Sequence, residues 1–412
     1  MFTQPIELLD GISPVPTGET SAAQHEPSKR IHIMYLIDRL YIQGGGEEAL
    51  IRIVQNLPRD QFRISVVTFD ANPDAMHAMR RAGAALYVFP LQRTFDWNGL
   101  RTALALRHLI RSSAVDIVHT FFETSNTWGG LVAKLSRVSL LVSSRRDMGI
   151  LRSRKHRVAY RIINQVTDAF VAVSNSVRDF CIQTERLNPN RVFTIHNGVE
   201  LERIDAIQEV ASLRSRLCVQ KGAPVVITVA NVRRFKGLDT LLRAAAIVRR
   251  ELPTVQFLIA GHPLEWNHYQ ELQELTRHLH LCNNVAFLGR CAEVPALLKL
   301  SDVFCLLSRT EGFSNALLEA MACRLPCVVT EVGGNREAIS DGETGFLVSA
   351  EDSETAARRI CTLLHDPEYA RTIGQAARKT VEERFTSQRI AAQVAAFYQG
   401  LASVIIPYRK SN

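Results

Sequence analysis

The chain has no hydrophobic run approaching the ~18 residues that would carry a helix across a bilayer. Its first 29 residues have no apolar core and contain Pro14, Pro16 and Pro27. They are therefore not read as a secretory signal, and a poorly ordered polar tail is expected there. The eight cysteines are scattered. Cys323 and Cys327 lie close together, but no second pair completes a zinc site. Cys181, Cys305 and Cys361 fall in apolar runs and are expected to be reduced, buried thiols of a cytoplasmic protein. What is present is ordinary globular material, 46% hydrophobic over 412 residues. That length exceeds one usual core and predicts two domains.

Charge is spread unevenly. Residues 1–199 hold 24 Lys and Arg against 17 Asp and Glu, a balance of +7. The remainder holds 25 against 24, so nearly all of the net +8 lies in the first half. Its focus is the segment from Arg145 to Arg161, with seven basic residues and one acidic. Ile150, Leu151, Val158 and Tyr160 are interleaved with them. Two readings stay open: a solvated face, or a face toward an anionic membrane or a phosphate-bearing acceptor. Nothing else in the chain supports nucleic-acid binding.

Short runs of branched apolar residues alternate with segments of helical length. In the first half the runs are Ile31–Ile37, Ile64–Phe69, Leu86–Phe89, Asp116–Thr120, Leu140–Ser144, Ala169–Val173 and Val192–Ile195. A second series comprises Pro224–Ala230, Val255–Ala260, Val285–Leu288, Asp302–Leu307, Cys327–Thr330 and Phe346–Val348. Between its first two members, Leu238, Leu241, Leu242, Ala245 and Val248 recur at helical spacing. The alternation predicts an α/β protein with parallel sheets covered on both faces. No strand signal occurs between Asn197 and Gly222. That stretch is the expected connection between an N-terminal domain, 30–200, and a C-terminal domain, 201–386.

The densest functional signal is Glu311 and Glu319, eight residues apart. An apolar run precedes Glu311, and good helix formers from Asn315 onward surround Glu319. Glu311 is therefore expected at the carboxyl end of a strand, with Glu319 about two turns into the next helix. Ligands of open α/β sheets bind at that edge. The first amides of the helix favour an anion there, such as a diphosphate.

The run EGFSNALLEAMA with this spacing resembles the signature of retaining family-4 glycosyltransferases, group 1 enzymes with the GT-B fold. The resemblance covers roughly residues 31 to 398. It implies two Rossmann-like domains facing across a cleft, with helix 387–412 completing the first. In that family the second glutamate, here Glu319, binds the ribose hydroxyls of a nucleotide-sugar, and the first, here Glu311, lies near the transferred sugar. Ionised carboxylates suit hydroxyl donors. The neighbouring Gly312, Phe313, Ser314 and Asn315 are implied donor contacts. So are Gly45 and Gly46, in a glycine run that is also readable as a flexible turn. Arg290, after the third strand of the second domain, stands where relatives contact the base.

Relatives grip the donor phosphates with an arginine and a lysine. Lys236 keeps its place in Asn231-Val-Arg233-Arg234-Phe-Lys236-Gly237, but the usual arginine position is Asn231. Arg233 is the expected replacement, with Arg234 the fallback. A cation is needed because the leaving diphosphate gains charge as the glycosidic bond breaks. Many relatives carry His-x-His after the fourth strand. Here the pair is His119 and Phe121, and His119 reads as structural, leaving Glu123 or Asn126 as possible substrate contacts. The turn 196–199, His-Asn-Gly-Val, reads as structural. Residues 331–337 resemble a loop that closes over the nucleotide-sugar, and structural glycine turns are the alternative. Gly261-His262-Pro263 lacks the second glycine usual in relatives.

The expectation is a retaining transferase that moves a sugar from a nucleoside diphosphate to a hydroxyl acceptor. The acceptor would be lipid-linked or a polysaccharide, in cell-surface polysaccharide or glycolipid synthesis. The enzyme would be cytoplasmic and peripheral to the membrane. No Asp-x-Asp pair occurs, so neither metal nor other cofactor is expected in the donor grip. A nucleotide-sugar epimerase of the same fold and a non-catalytic scaffold subunit are the alternatives.

Overall fold

The computed structural model describes residues 30–41, 45–149, 154–207, 211–217 and 219–410. The polar tail 1–29, Gly44 and the segment 150–153 lie outside the described residues.

Strands form where the apolar runs place them. β1 (Ile31–Ile37), β2 (Phe62–Thr68), β3 (Ala85–Val88), β4 (Ile117–Phe121), β5 (Leu140–Arg145), β6 (Ala169–Ala172) and β7 (Val192–Thr194) make one sheet, in the order β3-β2-β1-β4-β5-β6-β7. β8 (Val225–Val229), β9 (Gln256–Ala260), β10 (Val285–Gly289), β11 (Val303–Leu306), β12 (Cys327–Thr330) and β13 (Phe346–Val348) make the other, in the order β10-β9-β8-β11-β12-β13. Every pairing is parallel. Parallel strands are covered on both faces, which is why their sequences are continuously apolar. In β1, every residue from Ile33 to Ile37 is fully buried. The strand order reverses between β1 and β4, and again between β8 and β11. The carboxyl ends of the strands at those two points are the expected ligand edges.

Eight helices position the site and its surroundings. They are α1 (Gly45–Asn56), α2 (Trp97–Ser112), α3 (Gly130–Leu135), α4 (Arg154–Val166), α5 (Asn175–Glu185), α6 (Leu238–Glu251), α7 (Asn315–Ala322) and α8 (Ser387–Lys410). The periodic residues Leu238, Leu241, Leu242, Ala245 and Val248 form the buried face of α6. Helix α8 crosses back to pack along α1. It delivers Ile390, Val394 and Tyr398 to the core of the first sheet.

The 196–199 turn splices the two halves. The Val199 N–H donates to the Phe385 carbonyl at 2.9 Å, and the Ser387 N–H donates to the Val199 carbonyl at 3.0 Å. A Cβ on Gly198 would lie 2.8 Å from the Ser387 Cα, so glycine is required where the chains cross.

Candidate active site

The C-terminal wall of the cleft is built by the loops after β8 and β11. Glu311 is buried, and its Oε1 accepts from the Lys236 ammonium at 2.6 Å and the Ser308 hydroxyl at 2.7 Å. Lys236 ends a short turn, Arg234–Lys236. The next residue, Gly237, has φ +62, and a Cβ there would lie 1.9 Å from the Leu307 carbonyl oxygen. Only glycine lets the two loops press together this closely, and that contact sets the Lys236–Glu311 distance. Arg309 braces the same turn, donating to the Arg234 carbonyl at 2.7 Å and to both Asp239 oxygens at 2.9 and 2.7 Å.

The arginine question has a geometric answer. Arg234 points outward to Glu271 at 2.5 Å. Asn231 is occupied structurally, its Oδ1 accepting the His262 N–H at 3.0 Å. Arg233 is half-buried, and its guanidinium lies 5.8 Å from the Phe235 ring. Among the described residues no carboxylate lies within ion-pair distance of it. Arg233 is thus the cation available beside Lys236.

The start of α7 carries several of the expected donor residues. Ser314 is the N-cap, and its hydroxyl accepts the Leu317 N–H at 3.2 Å. Asn315 donates through Nδ2 to the Gly45 carbonyl at 2.9 Å, while its Oδ1 is buried without a partner. The glycine loop is therefore pinned to α7. Gly46 packs closely on Phe122, whose ring would lie 2.5 Å from a Cβ at that position. Gly312 marks a very close approach of the two halves: its Cβ would lie 2.2 Å from the Arg146 carbonyl oxygen. Phe313 requires a correction. Its ring is buried against His196 and Phe385, with centroids at 4.8 and 5.4 Å, and its carbonyl accepts from Asn197 at 3.1 Å. Both groups are used inside the protein, so its side chain is no donor contact. Arg290 is exposed and follows Gly289 at the end of β10.

Glu319 has a partner that the sequence did not disclose. The Arg52 guanidinium of α1 donates to Glu319 Oε1 at 2.5 Å, to Glu48 Oε2 at 3.2 Å and to the Gly198 carbonyl at 3.0 Å. Arg52 is 7% exposed. Burial works against its charge, but Glu319 and Glu48 outweigh that and raise its pKa. Burial pushes the Glu48 carboxyl up to about 7, opposed by Arg52 and helped by Glu319. The only local hint was Glu48 four residues before Arg52, an ordinary helix-surface pair.

On the N-terminal wall His119 is structural, as expected, while Asn126 and Arg145 depart from expectation. His119 lies between the Tyr398 hydroxyl at 2.5 Å and the Ser144 hydroxyl at 2.9 Å. Burial lowers its pKa to about 3, so it is a neutral structural group. Asn126 is buried, donating to the Ser144 carbonyl and the Tyr160 hydroxyl at 3.1 Å each and accepting from Thr120 and Ser143. It has no capacity left for substrate. Glu123 lies 3.3 Å from His156. Arg145 does not belong to a surface patch. It is 1% exposed, ion-paired to Glu185 at 3.0 Å and stacked on the Tyr160 ring. Tyr160 is likewise buried.

Arg146 reaches the cleft instead. It hydrogen-bonds Asn197 and lies 5.6 Å from the ring of Phe121. The 331–337 loop docks on the opposite half. Glu337 accepts the first amides of α5, Asn175 and Ser176, at 2.9 and 3.0 Å, and meets His196 Nε2 at 2.9 Å. Burial pushes its carboxyl up, but these hydrogen bonds outweigh it and lower the pKa.

The chain matches two family models, "Glycosyltransferase Family 4" over residues 43–203 and "Glycosyl transferases group 1" over residues 211–380. The chain belongs to the group 1 glycosyl transferases. Its two facing parallel sheets are the GT-B fold of this family. It is similar to N-acetyl-alpha-D-glucosaminyl L-malate synthase of Bacillus anthracis, with 32% identity over 56% of this chain and 59% of that enzyme. It is also similar to the UDP-Gal:alpha-D-GlcNAc-diphosphoundecaprenol alpha-1,3-galactosyltransferase of Escherichia coli, with 25% identity over 78% of this chain and 85% of the relative. Among solved structures, Anabaena Alr3699/HepE in complex with UDP superimposes with a TM-score of 0.78 at 25% identity, covering 90% of this chain and 100% of that one. Among the described residues of this glycosyltransferase, no helix is long and apolar enough to cross a membrane.

Proposed function

We propose that this glycosyltransferase moves a sugar from a nucleoside diphosphate to a hydroxyl acceptor with retention of anomeric configuration. The observation that carries the reading is the Lys236–Glu311 pair, held at 2.6 Å at the sheet edge with Arg233 beside it. The UDP bound to the HepE relative and the UDP-sugar named for the Escherichia coli enzyme support a nucleotide-sugar donor. That second name, with its diphosphoundecaprenol acceptor, supports a lipid-linked acceptor reached at a membrane surface.

The donor diphosphate lies against Lys236, Arg233 and the first amides of α7. Glu311 accepts a hydrogen bond from one of the three N–H groups of the Lys236 ammonium and leaves two for phosphate oxygens. The bond between the sugar C1 and the diphosphate oxygen breaks, and its electron pair leaves with the nucleoside diphosphate. The two cations stabilise the growing phosphate charge without a metal. The acceptor oxygen bonds C1 on the face just vacated, and its proton passes to the departing phosphate oxygen. Glu319 accepts the ribose hydroxyls through the oxygen that Arg52 leaves open.

The first test is thermal stabilisation by a panel of nucleoside diphosphates and their sugars. A ligand at ~100 times its dissociation constant adds ~2.7 kcal/mol to stability. The second is the anomeric configuration of the product by NMR. An α-linked product from an α-linked donor is expected. An inverted product refutes retention, and a changed sugar without acceptor reveals an epimerase.

A further inference from the structure

Most of the strongly exposed large apolar side chains among the described residues lie on one part of the N-terminal half. On α2, Trp97, Leu100 and Leu104 are 79%, 49% and 59% exposed, at the i, i+3, i+7 spacing of one helix face. Helix α4 likewise exposes Val158, Ile162 and Val166, at the i, i+4, i+8 spacing. Helix α3 lies between them, packs against both, and exposes Leu131 and Leu135. These faces are not excess core, because each helix buries a separate stripe, such as Leu106 and Ile110 on α2. A patch spanning three neighbouring helices marks an interaction surface.

The charge of the same helices says what covers it. α2, α3 and α4 contain no Asp or Glu, and they carry eight Lys and Arg. Arg101, Arg157 and Arg161 are exposed directly beside the apolar stripes. A predominantly basic rim around exposed aliphatic and indole groups, with Asp96 an acidic exposed residue beside Phe95 and Trp97, complements an anionic bilayer, with phosphates at the arginines and acyl chains below. Placement adds a second argument. In a parallel βα array each helix starts at the carboxyl edge of the sheet. Trp97 and its neighbour Phe95, 95% exposed, therefore stand at the edge that faces the cleft.

We infer that the outer face of α2, α3 and α4 is the surface by which this glycosyltransferase lies on an anionic membrane, with Phe95 and Trp97 inserted at the cleft rim. The role in acceptor presentation rests on the function proposed above; the docking itself does not. The membrane surface is thus broader than the basic segment expected from sequence. Arg145 and Tyr160 leave it, and α2 and α3 join it.

The test is co-sedimentation of the full chain with vesicles of phosphatidylglycerol and phosphatidylcholine, against phosphatidylcholine alone. The wild type should sediment with the anionic vesicles and weaken as salt shortens the screening length to about 8 Å at 0.15 M. The double variant F95S/W97S should lower partition by ~10-fold, about 1.4 kcal/mol. R157E/R161E should release the protein at every salt concentration. W266S, which removes an exposed tryptophan from the other half, should bind like the wild type. Nucleotide stabilisation is measured in parallel for every variant. A wild type that stays in the supernatant overturns the inference. So does F95S/W97S sedimenting like the wild type, or concentration-dependent dimers that the same variant abolishes. If vesicle binding fails while nucleotide stabilisation persists, the docking face is wrong and the proposed function stands. The reverse result separates them the other way.

Discussion

Removing the Arg52 side chain should weaken donor binding from the far side of the cleft. Arg52 and Glu319 are 267 positions apart and meet at 2.5 Å, with side chains 8% and 13% exposed. A charge-assisted hydrogen bond of this kind is worth ~1.5–3 kcal/mol. In R52A, Glu319 loses its orienting donor, and Glu48, no longer held charged by Arg52, shifts toward its neutral form. Donor affinity should then fall about 10-fold, the lower end of that range, because Glu319 itself is still present. E319A should lose at least as much. The two effects should not add, because Arg52 acts on the nucleotide only through Glu319. R52K should recover only part of the loss, since one ammonium lacks the fork that serves Glu319, Glu48 and the Gly198 carbonyl together. The assay is titration calorimetry with whichever nucleoside diphosphate stabilises the wild type, run on the full double-mutant cycle. Unchanged affinity in a folded R52A, or an equal loss from R52A in the E319A background, would refute the reasoning.

K236A should lower turnover by about 10²–10³ with a smaller change in KM, because phosphate charge grows toward the transition state; steady-state kinetics separates the two. G312A places a Cβ 2.2 Å from the Arg146 backbone oxygen, where nothing flexible can yield. It should cost about 1–3 kcal/mol of stability in denaturant titration and depress turnover by holding the halves apart. Glu48 sets a pH slope: its carboxyl titrates near 7 in the folded chain against an ordinary value of 4.5. Between those values the folded state binds more protons, so Glu48 makes stability decline as pH rises through that window. E48Q should flatten this part of a Tm scan from pH 5 to 8.

The sequence by itself determined the two parallel sheets. Their strands are buried on both faces, so each had to be a short, continuous apolar run, and the runs from Ile31–Ile37 to Phe346–Val348 appear where that period places them. Local chemistry also fixed the neighbourhood of Glu311, Ser314 and Lys236, since strand ends and helix starts follow from adjacent residues. Only the tertiary structure decided which side chains meet. Phe313 turned inward onto His196 and Phe385, and Asn126 was consumed by β4, β5 and α4, because burial depends on distant packing. Arg145 reads as surface charge in a basic stretch, yet it ends a central strand, where Glu185 and Asn164 compensate it. The Arg52–Glu319 pair left only the Glu48–Arg52 spacing as a local hint, and the apolar face shared by α2, α3 and α4 only separate stripes on separate helices. Each joins residues far apart in sequence, and the chain brings them together only once both sheets and their covering helices have formed.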